Sequence, residues 1–286
     1  MKRLILITIM LGLGTVPLGK QVIALAGTVP SAKSRYISLA PSTTEILFAL
    51  GLGDNIVGVS SYCDYPSQAK EKEKVGTFSQ PNIEKIVFLK PDYIFCTGLK
   101  QAPAVSALRR LGLKVYVSDP ASVADMLSSI NEIGNITGKA KEAESLTENM
   151  KRQIEEISSK VSSVPQEKRP KVFIEIWHDP LTTAGKGSFV DGLLTLAGGI
   201  NIANNTRSAY GIFSPEEVIK RNPDCIIITY MDKRVVSRSM ASRFGWSGIA
   251  AVKNNRVYAD IDSNLLLRPG PRIVEGLKEI QKRLYQ

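Results

Sequence analysis

The sequence predicts an α/β protein of two similar lobes, each with a mostly parallel sheet, joined by a helical segment. Three observations predict it. Short apolar strands alternate with amphipathic helices in both halves of the 286-residue chain. An internal repeat relates the halves, and the stretch between them carries helical rather than strand periodicity. Alternating strands and helices give parallel sheets covered on both faces.

The elements follow in chain order. Lys2 and Arg3 precede an apolar stretch from Leu4 to Leu18, and Ala24-Leu25-Ala26 supplies a small-x-small site. These are the parts of a secretory signal peptide, read as residues 1–26 and cleaved after Ala26. Lys20 and the apolar Val22–Leu25 leave an uncleaved anchor as the other reading, although the run is short for a bilayer span. No cysteine lies near the site, so a lipoprotein is not expected there, and the chain is read as periplasmic or extracytoplasmic. The N-terminal lobe is expected over 27–121, with strands at 36–39, 56–59, 93–96 and 114–117 and helices at 42–50, from 82, and at 103–111. Across 122–164, Met126, Ile130, Ile133, Ala143, Leu146, Met150, Ile154, Ile157 and Val161 recur in steps of three and four, as on one face of a helix. Gly138 divides this linker; its second piece, 139–163, would be about 37 Å long at the helical rise and act as a strut. The C-terminal lobe, 165–286, opens with a strand at 171–176 and repeats the scheme.

The repeat is visible in three places. Asn82–Phe95 aligns with Ser214–Ile227, both reading as a short helix, a Pro-Asp turn and a buried strand. Leu47–Ile56 resembles Leu193–Ile202, and Lys114-Val-Tyr-Val resembles Arg256-Val-Tyr-Ala. All three pairs come in the same order.

Composition narrows the function. The chain has 37 Lys+Arg and 27 Asp+Glu, net +10. Residues 1–26 hold Lys2, Arg3 and Lys20 and no acid, so 34 basic against 27 acidic residues leave +7. Basic and acidic residues are interspersed, as in Lys70-Glu71-Lys72-Glu73-Lys74, so nucleic acid is not an expected partner. A single histidine, His178, excludes multi-histidine metal sites, and no metal is expected. Cys63, Cys96 and Cys225 are odd in number with no C-x-x-C spacing. Cys96 and Cys225 fall in buried strands, whereas Cys63 lies in a loop and is read as exposed. No G-x-S-x-G, Walker A or G-x-G-x-x-G occurs, so no catalytic residue is assigned and an enzyme is not expected.

Binding residues are a better fit. Tyr62, Tyr65, Phe78, Trp177, His178 and Tyr210 fall in loops or at the carboxyl ends of predicted strands, where open parallel sheets bind ligands. Any one of them is equally compatible with packing; the case rests on their joint location around a cleft between lobes. Glu84 and Glu216 occupy the same place in the two repeats, each near the start of a short helix. Acids there complement the helix dipole, and one acid per lobe would also suit a pseudo-symmetric partner offering a basic residue to each.

The chain resembles the periplasmic cobalamin-binding proteins of ABC importers, within the iron-siderophore/cobalamin substrate-binding family. The likeness rests on Ile37–Gly51 (ISLAPSTTEILFALG), Val57–Pro66 (VGVSSYCDYP), Val75–Ile86 (VGTFSQPNIEKI), Lys90-Pro91-Asp92, Pro180–Ser188 (PLTTAGKGS) and Ser214–Val218 (SPEEV). It runs from about residue 35 to 286, which the resemblance treats as one binding domain. It implies two Rossmann-like lobes with central parallel sheets joined by a long rigid α-helix, and a corrinoid held between them as transported ligand rather than cofactor. It implies docking of Glu84 and Glu216 onto arginines of the importer's permease, which works with an ATPase, and a monomer. Corrin contacts would fall to Tyr62, Phe78, Tyr210 and Asn264, with Trp177 and His178 at the lip. Phe78 and Tyr210 stand where a cobalamin binder of the family has tryptophans, Thr97 replaces a third, and Asn264 falls where it has an acid. His178 could bond a ligand or backbone, or ligate cobalt. Within the same family the alternative cargo is an iron-siderophore or heme, with Arg207 and Arg268 as candidate anion ligands; a periplasmic hydrolase on this scaffold is the third reading.

Overall fold

The computed structural model describes residues 33–98, 101–230, 240 and 242–286. The expected signal segment, 1–26, lies outside the described residues. Residues 34–286 form one compact unit containing two sheets.

The first sheet is built from Tyr36–Ser38 (β1), Ile56–Val59 (β2), Tyr93–Cys96 (β3) and Val115–Val117 (β4), all parallel in the order β2-β1-β3-β4. Its crossovers are the helices Pro41–Ala49 (α1), Ile83–Phe88 (α2) and Ala102–Arg110 (α3). Side chains alternate between its faces. Ile37 and Ile94 go to one core with Ile86, Val105 and Leu108; Tyr36 and Phe95 go to the other with Ile46, Leu47 and Met126. Burial on both faces is what the continuous apolar strands anticipate.

The second sheet repeats this frame and then departs from it. Ile200–Asn201 (β7), Lys171–His178 (β5), Cys225–Ile228 (β9) and Val257–Tyr258 (β10) pair in parallel in the order of β2-β1-β3-β4. The repeat extends to atoms. Asn82 and Ser214 cap α2 and its counterpart Pro215–Arg221 (α7) through side-chain oxygens that accept from Lys85 N and Glu217 N. Lys90 and Asn222 take left-handed backbone at φ 46° and 45°. The Asp92 carboxylate accepts from Arg35 N at 2.7 Å and that of Asp224 from Lys171 N at 2.8 Å, so each Pro-Asp turn pins the start of its half's first strand.

The departure is a pair of inserted antiparallel strands, Leu181–Ala184 (β6) and Tyr210–Ile212 (β8), which make a mixed six-stranded sheet where simple repetition of the first scheme was expected. Their cause is the length of β5. At eight residues it outruns the two-residue β7, and β6 folds back to pair the remainder of that edge. Phe189–Leu196 (α6) then follows as the counterpart of α1.

The linker is a helical hairpin divided at Gly138 as expected, its second arm the long helix. Val123–Thr137 (α4) begins in a capping box between Ser122 and Asp125 and stops at Gly138, at φ 72°. Ala140–Ser162 (α5), 23 residues and about 35 Å at the helical rise, turns back along α4, with Thr147 Oγ1 bonded to Asn131 Oδ1. Its apolar stripe is buried against α4, α6 and the C-terminal helix Ile273–Leu284. Tyr36 and Phe95 of the first sheet and Val172 and Ile227 of the second belong to one continuous core with these helices. Two shorter helices, Ala250–Lys253 (α8) and Asn264–Leu267 (α9), precede that last one, α10. Among the described residues no helix is long and apolar enough to cross a membrane.

The hairpin is closed at Gly134, where an added Cβ would sit 2.4 Å from the Ala143 Cβ and 2.9 Å from the Lys139 carbonyl oxygen. Gly134→Val is therefore expected to overpack the contact and destabilise the protein by about 1–3 kcal/mol, measurable by urea denaturation; a loss under roughly 0.5 kcal/mol would mean the two helices separate freely.

Candidate functional site

The expected ligand residues come from loops whose placement the local chemistry fixes. In the first half, Tyr62 follows β2 and is 58% exposed. Phe78 is half-buried in a tight loop closed by Thr77 N donating to Gln80 O and by the Gly76–Pro81 bridge. Gly76, at φ 103°, is required there, since a Cβ would meet Gln80 O at 2.5 Å. The buried Gln101 holds this loop from behind. Its Nε2 donates to Phe78 O at 2.9 Å and to Leu39 O at 2.7 Å, while its Oε1 accepts from Thr97 N at 2.9 Å. One amide thus ties the Phe78 loop to the carboxyl ends of β1 and β3. The neighbouring Thr97 Oγ1 is buried without a hydrogen-bond partner among the described residues.

In the second half, Trp177 and His178 ride on the protruding tip of the β5–β6 hairpin. The pairing register slips at Ile176, a bulge of the kind that bends a strand. Trp177 Nε1 donates to Asp179 O at 2.9 Å. The two rings lie 4.9 Å apart, and both pack on Tyr230, at 5.7 and 5.3 Å. His178 Nδ1 is buried without a hydrogen-bond partner among the described residues.

Beneath this cluster sits a charge in the core. Glu175, fully buried, accepts from Arg243 Nη1 and Nη2 at 2.7 and 2.8 Å and from the Tyr230 hydroxyl at 2.7 Å. Burial and the adjacent carboxylate push the Tyr230 phenol well above its ordinary pKa, so it stays a donor. Arg243 in turn lies over the Trp246 ring at 4.5 Å.

Tyr210 differs from expectation. It opens edge strand β8 rather than lying in a loop, opposite Ala184 and so about 10 Å along β6 from the hairpin tip. Asn264 begins α9, half-buried, its backbone N–H held by Asp262 Oδ1 at 2.9 Å. Cys63 is a further correction. It is buried, at 1% exposure, because its thiol turns inward to accept from Thr44 Oγ1 at 3.1 Å. Burial pushes its pKa up, although hydrogen bonds from Ser60 and Thr44 pull the other way. Burial likewise pushes the Cys96 and Cys225 thiols to about 12.

A second ionic cluster joins residues distant in sequence. Glu45 of α1, 3% exposed, accepts from Arg272 Nε at 2.8 Å and Nη2 at 2.6 Å, and Arg268 Nη1 lies 3.5 Å away. Arg268 also donates to Asp64 Oδ1 at 2.5 Å, and Arg272 stacks over Tyr65 at 3.8 Å. Partial burial would raise the Asp64 pKa, but the Arg268 hydrogen bond and charge outweigh it and hold the carboxyl below its usual range. A cavity of about 870 Å³ opens beside this cluster, lined by Glu45, Phe48, Tyr65, Gln68 and Arg272; of the expected binding residues it takes in Tyr65 but not Tyr62, Phe78, Trp177, His178, Tyr210 or Asn264.

Glu84 and Glu216 are both exposed in the first turns of α2 and α7. Glu84 has no partner among the described residues. Glu216 accepts from the Ser214 hydroxyl at 2.5 Å, which holds its carboxyl below the ordinary range.

The arrangement is two α/β frames with exposed aromatics on their loops and hairpin, in a chain that matches a known family. The model of that family, described as periplasmic binding protein, matches residues 37–263. The chain belongs to the periplasmic binding protein family. This periplasmic binding protein is 35% identical over 263 residues to an uncharacterized ABC transporter substrate-binding lipoprotein of Bacillus subtilis (strain 168), covering 90% of this chain and 82% of that one. Among solved structures it is similar to a possible iron-binding (periplasmic solute-binding) protein from Staphylococcus epidermidis ATCC 12228, at 34% identity and a TM-score of 0.78 over 88% of this chain and 98% of that one. It is also similar to the periplasmic vitamin B12 binding protein of Vibrio cholerae, at 28% identity and a TM-score of 0.77 over 88% of this chain and 96% of that one.

For this periplasmic binding protein the structure brings Trp177 and His178 together on Tyr230; among the described residues no ring contact or hydrogen bond joins Tyr62, Phe78, Tyr210 or Asn264 to them. Sequence reasoning missed Gln101, Glu175, Tyr230, Arg243, Glu45 and Arg272. Glu175 had a signal, a carboxylate in the middle of an apolar strand, which must be paired if buried. Gln101 had none, because a polar residue ahead of a helix is ordinary.

Proposed function

We propose that this chain is the extracytoplasmic substrate-binding component of an ABC importer and that its cargo is a corrinoid. The reading takes 27–121 and 165–286 as the lobes, 122–164 as their linker, and the protein as an exported monomer. Tyr62 and Phe78 would face the macrocycle from one half, Trp177, His178 and Tyr210 from the other, with Asn264 among the polar contacts. The observation that supports it most is the pairing of exposed aromatic loops on two parallel-sheet frames in a chain similar to a vitamin B12 binding protein. Broad aromatic contact suits a large, mostly apolar ring with a polar amide rim.

The alternative, an iron-siderophore or heme, draws on the relative described as iron-binding and on the exposed Arg207. It cannot use Arg268 as a free anion ligand while that guanidinium is engaged by Asp64 and Glu45. Mixing the protein with cyanocobalamin, heme and a ferric siderophore in parallel, removing free ligand and recording absorbance separates these. Retention of cyanocobalamin alone is expected; retention of heme or the siderophore instead would replace the corrinoid.

Delivery would proceed by docking of Glu84 and Glu216 on basic residues of the permease. With the Ser214 bond favouring its ionised form, Glu216 stays charged through neutral and mildly acidic pH. Glu84→Ala with Glu216→Ala is expected to weaken permease binding more than about tenfold, in line with interfacial charge pairs, without altering cargo binding. Unchanged permease binding would remove the docking role.

A further inference from the structure

The two docking helices share an N-cap bond to the third residue and an acid in the first turn, yet they differ at an exposed position one turn further on. On α2, Phe88 follows Glu84 by four residues, so the two side chains share a helix face, roughly 5–6 Å apart at Cβ. Phe88 is 81% exposed and Val87 beside it 43%. The helix needs neither for packing, since Ile86 is its one fully buried side chain. At the repeat-equivalent position α7 carries Lys220, whose ammonium lies 3.6 Å from Glu217. An exposed phenylalanine at this place is therefore no requirement of the fold.

The surroundings say what would cover it. Lys85, the one cation within α2, is bound to Glu73, which leaves Glu84 as the unbalanced charge on the exposed face. A patch that offers an unpaired carboxylate and, one turn away, an unpartnered aromatic ring is complementary to a basic residue beside an apolar pocket. Resting on the docking reading above, we propose that Phe88 is the apolar anchor of that interface. Glu84 and Phe88 together seat α2 on the permease, and the N-terminal half contributes more of the docking affinity than the C-terminal half.

The test uses the full mature chain and the permease–ATPase complex of the same organism in nanodiscs, with equilibrium binding as readout. Phe88→Ser is expected to weaken binding at least about tenfold, as loss of a buried ring requires. Phe88→Leu retains most of the affinity, and Lys220→Ala changes it less than about twofold. Cyanocobalamin binding and thermal midpoint stay unchanged in each variant, which separates docking from folding and cargo. If Phe88→Ser binds within twofold of the parent while the Glu84→Ala, Glu216→Ala pair loses affinity, the anchor is overturned and docking by acids stands. If neither variant loses affinity, the docking reading and the anchor fall together.

Discussion

Glu175→Ala is expected to destabilise the protein by about 3–5 kcal/mol, because it strands a cation rather than merely removing a contact. Arg243 would keep its partly buried position over Trp246 with no counter-charge, and the Tyr230 hydroxyl would lose its acceptor. Such a loss lowers the thermal midpoint by on the order of 10 °C in a chain of this size. The double variant Glu175→Leu with Arg243→Leu is expected to recover most of it, since a buried ion pair replaced by apolar side chains of similar volume is often near neutral. It should nevertheless disturb the ring cluster of Trp177, His178 and Tyr230, which near-ultraviolet circular dichroism reads. A single-variant loss below about 1 kcal/mol, the range of exposed pairs, would show that water reaches Glu175 and that the pair does not support the hairpin.

Glu45→Ala is expected to have a comparable effect for a different structural reason. Its two oxygens hold Arg272 in a bidentate pair, and the partners are 227 residues apart in the chain. Both side chains are largely removed from solvent, at 2% and 13% exposure, so the variant leaves Arg272 uncompensated at a cost of about 3 kcal/mol or more. Asp64→Ala, a partner of Arg268 that is nearly half-exposed, should cost less than about 1 kcal/mol. Urea titrations of both variants measure the contrast. Equal small losses would mean that the cluster is surface decoration, and the segment from Arg268 to Arg272 would then owe its position to the apolar packing of Leu266 and Ile273.

Much of the fold was legible because its signals are periodic. The alternation at Tyr36–Ser38 and Tyr93–Cys96, the three- and four-residue steps from Met126 to Val161, and the Pro-Asp turns at 91–92 and 223–224 each impose a local geometry that survives in three dimensions. The Pro-Asp match in particular marked a contact, the carboxylate clamp on Arg35 N and Lys171 N. The inserted strands were not legible. Leu181–Ala184 and Tyr210–Ile212 are three or four residues long, and they pair only because β5 runs past its parallel neighbour, a fact of tertiary geometry. For the same reason Tyr210 looked like a loop residue. Cys63 was misplaced because a loop in sequence need not be exposed; hydroxyls from Ser60 and Thr44 form an interior polar pocket for its thiol. The long-range pairs Glu45–Arg272 and Glu175–Arg243 could not be matched from sequence, since nothing local says which arginine meets which acid.

In the proposed function the exposed aromatics serve a corrinoid. Isothermal titration of the mature protein with cyanocobalamin tests it most directly, alongside a Tyr62→Ala, Trp177→Ala variant. Saturable one-to-one binding is expected for the parent and a loss of at least about tenfold for the variant, as follows when stacked aromatic area is removed. No heat with any corrinoid, or equal affinity in the two proteins, would contradict it.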